Sequence, residues 1–135
     1  MKKEELMYGN KLLFLNEVVT FSHISQIRED GVFWIKTIES KIDSKSFHFK
    51  PIPITEEWLE KLGFVIKKGK DYKGKDYTCA TLFLNHEFLA VIEWLEKEKV
   101  CYLDFESTKN SIDIKYIHQL QNLYFALTGT HLTLK

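Results

Sequence analysis

Cysteine, proline and arginine are scarce in this chain, and its formal net charge is zero. The two cysteines, Cys79 and Cys101, are too few for a disulfide scaffold and lack zinc-site spacing, so both are expected to be buried, reduced thiols. No apolar run is long enough to span a membrane, and no signal peptide follows Met1. We therefore expect no membrane partner and a location in the cytoplasm of a bacterial host cell.

The charge balance argues against a polyanion as the main partner. Basic and acidic residues number 19 each, so no general field exists to hold duplex DNA. Arg28 is the single arginine, and arginine is the residue that most often contacts phosphate or guanine through two parallel hydrogen bonds. Duplex-DNA binding and sequence-specific readout are both disfavoured.

Apolar and aromatic residues are abundant by contrast, at 44% and 14%. A chain of this length and composition buries a core without staples, which predicts a single domain over residues 1–135. Residues 11–49 predict short strands joined by tight turns, and Ser46-Phe47-His48-Phe49 predicts one more. Strands at this spacing suggest a small barrel or a strongly bent sheet over residues 1–53.

Helix and hairpin signals follow in residues 54–135. Thr55 is an N-cap candidate for a short helix that ends at Gly63. A glycine- and lysine-rich loop then predicts a hairpin over residues 64–84. Residues 86–106 fit a helix or a hairpin turning at 96–99, and periodicity alone does not choose between them. An apolar stripe over Lys115–Thr128 predicts an amphipathic C-terminal helix, and residues 131–134 predict a terminal strand.

Two sequence blocks are familiar. They are PIPITEEWL at 51–59, followed by Gly63-Phe64, and IKYIHQLQNLYFALTG at 114–129. With Gly9-Asn10 before the first strand, they resemble a family of small uncharacterised proteins of Bacteroides-group bacteria and their phages. The chain departs from that family at 129–132, where Gly-Thr-His-Leu replaces a Gly-Glu-Glu-Leu type tail.

The strand-rich body and the amphipathic C-terminal helix predict an α+β fold, and the resemblance implies the order of its elements. That order is a small Src-homology-type β-barrel, a short helix, an antiparallel sheet and a C-terminal amphipathic helix. The resemblance favours the hairpin over the helix for residues 88–106 and brings no catalytic residues. It also implies a phage or mobile-element accessory protein.

The strongest candidate for ligand binding is the segment 67–77, which holds five lysines against two aspartates. Ammonium groups neutralise phosphates and tyrosine rings stack on bases, so the segment could hold a nucleotide or a single strand. The competing interpretation is a solvated loop. The candidate residues are Lys67, Lys68, Lys70, Tyr72, Lys73, Lys75 and Tyr77.

A second polar cluster lies on the C-terminal helix, where His118, Gln121 and Asn122 share one face. One interpretation is a polar face that binds a ligand or a partner. The other is that these side chains form hydrogen bonds to the backbone beneath the helix and so fix the position of the helix. The five histidines, at 23, 48, 86, 118 and 131, lack paired ligand spacing. A metal site formed by His23 and His48 is possible only if their strands meet. We expect no metal and no cofactor.

No phosphate-binding glycine loop, metalloprotease helix or nucleophile elbow occurs in the sequence. We therefore expect a non-enzymatic binding protein that sequesters a small phosphorylated ligand, such as a nucleotide-type immune signal of the host. The alternatives are an adaptor or inhibitor that binds a host protein through the barrel or final helix, and a hydrolase with an improvised site. Residues 86–106 carry six acidic and two basic residues, so they could meet segment 67–77 of another copy in a homo-oligomer.

Overall fold

A computed structural model describes residues 1–39, 42–85, 90–105 and 108–135 of the chain. The chain divides into two compact units. The first comprises Met1–Pro53 and Tyr116–Leu123, and the second comprises Ile54–Lys115 and Tyr124–Lys135. Each unit carries one antiparallel sheet of five strands, so the α+β class is confirmed.

The sheet of the first unit is built from the short strands that the sequence predicts. Its strands are β1 (Lys11–Phe14), β2 (Glu17–Ile27), β3 (Phe33–Thr37), β4 (Asp43–Lys45) and β5 (Phe49–Pro51), in the spatial order β4-β3-β2-β1-β5. The alternation of apolar residues turns one face of these strands inward. Its buried core consists of Leu12, Val19, Phe21, Phe33, Ile35 and Phe49.

Two local details of this unit differ from the prediction. The sequence predicts a tight turn at Asn16-Glu17, but the turn between β1 and β2 consists of Leu15 and Asn16, one residue earlier. Residues Ser46–His48 form a 3-10 helix instead of a strand, and β5 starts only at Phe49. The strand prediction for residues 46–48 was therefore wrong, because the alternation of Ser-Phe-His-Phe resembles a half-buried strand although Phe47 is exposed.

The second unit begins with the predicted capped helix, α1 (Glu56–Lys61). The Thr55 hydroxyl accepts a hydrogen bond from the Trp58 amide at 3.3 Å, as an N-cap should. Gly63 adopts a φ of +92°, and the Phe64 amide donates back to the Leu59 carbonyl at 3.0 Å. This is the left-handed helix end that glycine favours.

The sheet of the second unit is a meander with the order β10-β9-β8-β7-β6. Its strands are β6 (Val65–Lys70), β7 (Asp76–Asn85), β8 (Ala90–Leu95), β9 (Val100–Phe105) and β10 (Thr108–Ile112). Their register places the buried residues Ala80, Ile92, Trp94 and Cys101 on one face. The hairpin predicted over residues 64–84 is confirmed.

Residues 90–105 settle the helix-or-hairpin alternative in favour of the hairpin. Ala90–Leu95 and Val100–Phe105 pair in antiparallel register around a turn at 96–99. Residues 86–89, the rest of that ambiguous stretch, lie outside the described residues. The edge strand β10 was not predicted, because Thr-Lys-Asn-Ser-Ile carries a loop-like composition.

The C-terminal helix, α2 (Ile117–Thr128), is confirmed. Gly129 follows it with a φ of +72°. The terminal strand predicted at 131–134 was wrong: these residues belong to no strand, although Leu132 is buried. Within the described ranges, no helix combines the length and apolar character needed to cross a membrane.

Candidate functional site

The lysine- and tyrosine-rich segment forms the tip of the β6–β7 hairpin, and Asp71 shapes its turn. The carboxylate Oδ1 of Asp71 accepts hydrogen bonds from the amides of Lys73 and Lys75, at 2.8 Å and 3.0 Å. The Asp71 amide in turn donates to the Lys75 carbonyl at 2.9 Å. Aspartate is favoured at such turns because its side chain bonds the backbone two residues on. The tip is thus a hydrogen-bonded turn.

The strand alternation separates the lysines of β6 into two sets. Lys67 pairs in register with Cys79, whereas Lys68 and Lys70 pair with Thr78 and Asp76. Because successive side chains of a strand point to opposite faces, Lys67 lies on one face of the hairpin. Lys68 and Lys70 lie on the other.

Carboxylates already neutralise part of this positive charge. The Lys68 ammonium lies 3.0 Å from the Glu56 carboxylate, and the Lys70 ammonium lies 3.3 Å from Asp76. All four side chains are substantially exposed to solvent, so each pair contributes little to stability and is screened by salt. An anionic ligand can therefore compete for both ammonium groups at low energetic cost.

The two tyrosines occupy different environments. Tyr72 stands at the tip with 92% of its surface exposed, and the Lys73 ammonium lies 5.5 Å from its ring centre. Tyr77 is half-buried, and its ring lies across Gly69. A Cβ atom at residue 69 would approach the Tyr77 hydroxyl to 2.9 Å. Glycine is needed here for close approach.

A shallow open depression accompanies this hairpin. It has a volume of about 440 Å³ and is lined by Lys68, Gly69, Lys70, Asp76, Tyr77 and Thr78. Lys68, Lys70 and Asp76 carry their charged groups on one face of the hairpin, whereas the Tyr77 ring covers Gly69 on the opposite face. Of the seven predicted binding residues, Lys68, Lys70 and Tyr77 line the depression, whereas Lys67, Tyr72, Lys73 and Lys75 do not.

The polar face of α2 serves a different purpose. The Gln121 side chain accepts a hydrogen bond from the Lys11 amide at 2.9 Å and donates to the Gly9 carbonyl at 3.2 Å. The Asn122 side-chain oxygen accepts a hydrogen bond from the side-chain amide of Asn10 at 3.0 Å. It also donates to the carbonyl of residue 5. These bonds hold the segment that precedes β1, which is the docking role expected of such a face.

His118 completes this polar face as a fully buried residue. Its Nε2 lies 3.4 Å from the Glu5 carboxylate, and its ring stacks on Tyr116 with centroids 5.9 Å apart. Burial lowers the pKa of His118 below its usual value, and the nearby Glu5 acts in the opposite direction without cancelling this effect. The neutral ring therefore donates from Nε2, and among the described residues Nδ1 has no hydrogen-bond partner.

A cluster of one carboxylate, one hydroxyl and one ammonium group, which the sequence did not predict, lies around Thr20. Glu39 accepts hydrogen bonds from the Thr20 amide, at 3.0 Å, and from the Thr20 hydroxyl. The Lys11 ammonium donates to the same hydroxyl at 2.6 Å. Burial acts to raise the pKa of Glu39, but these hydrogen bonds and the charge of Lys11 outweigh it and lower the pKa. Because Thr20 is buried, the cluster ties Glu39 to β2 and offers no accessible nucleophile.

The remaining reactive side chains are dispersed. His23 and His48 each contact a serine, Ser22 and Ser44, rather than one another. His86 lies outside the described residues. In the part of the chain that the structure describes, no group of three or more His, Cys, Asp or Glu side chains could hold a metal ion.

Both cysteines are free thiols. Burial raises the pKa of Cys79, and it raises the pKa of Cys101 to about 11. The thiolate is the reactive form of cysteine, so neither side chain is poised as a nucleophile.

Comparisons of the chain with protein-family models, with curated proteins and with solved structures found no match. The resemblance to small proteins of Bacteroides-group bacteria and their phages therefore stays a prediction.

Proposed function

We propose that this chain is a non-enzymatic binding protein, and that the β6–β7 hairpin holds a small phosphorylated, nucleotide-type ligand. The depression beside Lys68, Lys70 and Tyr77 carries this proposal. Two ammonium groups on one side of a hairpin supply charge for a phosphate. The exposed ring of Tyr72 at the hairpin tip, and the Tyr77 ring over Gly69 on the opposite face, offer apolar surfaces for a base or a sugar.

The ion pairs of the hairpin suit exchange with a ligand. Glu56 and Asp76 hold the two ammonium groups in solvent-exposed contacts, which an incoming phosphate can replace with its own charge-assisted hydrogen bonds. Tyr72, Lys73 and Lys75 extend the basic surface to the tip. Lys67, on the opposite face, contributes through long-range attraction alone or through a second copy in a homo-oligomer.

The biological setting follows from the resemblance. A phage or mobile-element accessory protein that holds a phosphorylated ligand without changing it would remove that ligand from solution. The specific function that we propose is sequestration of a nucleotide-type immune signal of the host.

Isothermal titration calorimetry against linear and cyclic nucleotides tests the proposal. We expect heat with at least one nucleotide, and a tenfold or greater loss of affinity in the Lys68→Gln/Lys70→Gln variant. Lys97→Gln, which removes an exposed lysine outside the hairpin, is the matched control. Absence of heat across the panel contradicts the proposal, and new products in mass spectra would favour the hydrolase.

We also infer that the sheet of the first unit closes into a small Src-homology-type barrel. Its support is the 11-residue β2, which pairs with β1 through its first part and with β3 through its second. Register shifts at Phe21/His23 and Ile24/Gln26 interrupt the second ladder, and such bulges bend strands. Nuclear Overhauser contacts between β4 and β5 would test closure; their absence would leave an open bent sheet.

A further inference from the structure

A second pocket lies in the first unit, away from the residues assigned to the hairpin site. It has a volume of about 290 Å³ and is lined by Leu13, Leu15, Asn16, Phe47, His48 and Lys50. These six residues, all within the described ranges, include no carboxylate. The pocket thus combines aliphatic and aromatic walls with an ammonium group.

The turn residue Leu15 is the feature that the fold itself does not explain. Leu15 and Asn16 both have positive φ angles, 51° and 66°. Two-residue hairpin turns with this backbone favour asparagine, aspartate and glycine, whereas the left-handed region is costly for leucine. Leu15 is also 76% exposed, so burial in the core does not compensate for the strain. Strained residues of this kind cluster at binding sites.

The opposite wall is held in place by its own contacts. The His48 Nδ1 lies 2.7 Å from the Ser44 hydroxyl. The Phe47 ring packs edge-on against His48, with centroids 4.5 Å apart and an interplanar angle of 87°. Phe47 nevertheless remains 64% exposed. The 3-10 helix therefore presents an ordered aromatic surface to solvent.

Cations surround this aromatic surface. Lys50 lines the pocket, and the Lys45 ammonium lies 5.7 Å from the Phe47 ring centre and 5.6 Å from the Trp34 ring centre. An anion that enters the pocket lies beside Lys50, and the Lys45 ammonium lies over the Phe47 ring that lines it. A ring that enters meets Leu15 and Phe47. A ligand that carries a ring and a negative charge suits both walls.

We propose that this pocket binds a small aromatic acid, with a single ring packed between Leu15 and Phe47 and its anion paired with Lys50. The volume suits one ring, since drug-sized ligands need about 300–1,000 Å³. A ligand of this size binds with a dissociation constant on the order of millimolar. This site goes beyond the hairpin function and does not depend on it.

Titration by two-dimensional ¹H–¹⁵N nuclear magnetic resonance tests the pocket with defined probes. N-acetyl-phenylalanine carries ring and carboxylate, its amide carries the ring alone, and N-acetyl-alanine carries the carboxylate alone. We expect saturable shifts at the amides of Phe47, His48 and Lys50 with the first probe. The other two probes should each bind at least about threefold more weakly. Equal binding of the uncharged amide, or shifts confined to other residues, would overturn the proposal.

Two variants sharpen this test. Lys50→Gln should weaken the charged probe about threefold and leave the uncharged amide unaffected. Leu15→Asn should weaken both ring-bearing probes about tenfold while the melting temperature rises, because the turn loses its strain and the pocket loses a wall. Unchanged binding in Leu15→Asn contradicts the proposal. Lys97→Gln is the control for loss of a lysine.

Further arms identify the source of the ligand and separate the two sites. A hexapeptide ending in phenylalanine that binds tighter than N-acetyl-phenylalanine would overturn the small-molecule assignment in favour of a protein C-terminus. The hairpin variant Lys68→Gln/Lys70→Gln should bind N-acetyl-phenylalanine as the parent chain does. A loss in that variant would place the probe at the hairpin and refute the second site.

Discussion

The polar face of α2 and the β6–β7 hairpin are both candidate sites in the sequence, but the structure buries the first and exposes the second to solvent. His118 and Gln121 are buried and bonded to the segment that precedes β1. Lys68 and Lys70 form solvent-exposed ion pairs with carboxylates. A buried hydrogen bond is costly to lose because its partner stays unsatisfied, whereas an exposed ion pair is readily exchanged. Burial therefore assigns the first cluster to stability and leaves the ammonium groups of the second exchangeable.

The largest effect is expected for Gln121→Ala. Its side chain bonds the Lys11 amide and the Gly9 carbonyl, and removal leaves both groups without that partner. The free energy of unfolding should fall by about 2–3 kcal/mol in urea denaturation followed by circular dichroism. Gln26→Ala, which truncates an exposed glutamine of the same unit, should change it by less than about 0.5 kcal/mol. Equal effects in the two variants would remove the distinction between the clusters.

The pH dependence of stability tests His118. Burial lowers its pKa in the folded state from the ordinary value of 6.5, so the unfolded chain binds the proton more readily. The free energy of unfolding should therefore be largest above pH 6.5 and fall as the pH drops below it. Denaturation at pH 7.5, 6.5 and 5.5 measures this, and His118→Asn should flatten the profile. An unchanged profile in that variant would assign the titration to another group.

The turn variant Leu15→Asn should stabilise the chain by about 1 kcal/mol, since it relieves a leucine held in the left-handed region. Thermal unfolding followed by circular dichroism measures the change. Leu13→Asn, at a neighbouring residue in a regular strand, should instead destabilise the chain. A lower melting temperature for Leu15→Asn would show that Leu15 supports the fold.

The smallest effect on stability is expected for Lys68→Gln/Lys70→Gln. Both ion pairs are exposed, so the free energy of unfolding should change by less than about 1 kcal/mol in urea. The difference in unfolding free energy between this variant and the parent chain should be smaller still in 0.5 M salt, because salt screens both ion pairs. A loss as large as that of Gln121→Ala would show that the hairpin lysines are structural.

Signals that act within a few residues predicted much of this fold. Thr55 and Gly63 delimit α1 because each satisfies a helix end through its own local geometry. The lysine-rich hairpin follows from its glycine-containing turn, and the stripe over α2 follows from helical periodicity. The candidate hairpin residues were likewise visible as a run of charge and aromatic rings.

Other features depend on contacts between distant parts of the chain. The polar edge strand β10 forms because β9 supplies its hydrogen-bond partners, which its own composition does not reveal. The 3-10 helix at Ser46–His48 exposes Phe47, and the pocket beside it needs Leu15 from a turn more than 30 residues earlier. Local propensity carries no information about such neighbours.

The sequence by itself determined the α+β class, the ends of α1, the β6–β7 hairpin and the amphipathic character of α2, because these follow from turn chemistry, capping and periodicity. Only the tertiary structure decided the order of the strands, the pairing of Lys68 with Glu56, and the burial of His118 and Gln121. Whether a polar side chain is buried depends on what packs over it, and residues far away in the chain provide that packing.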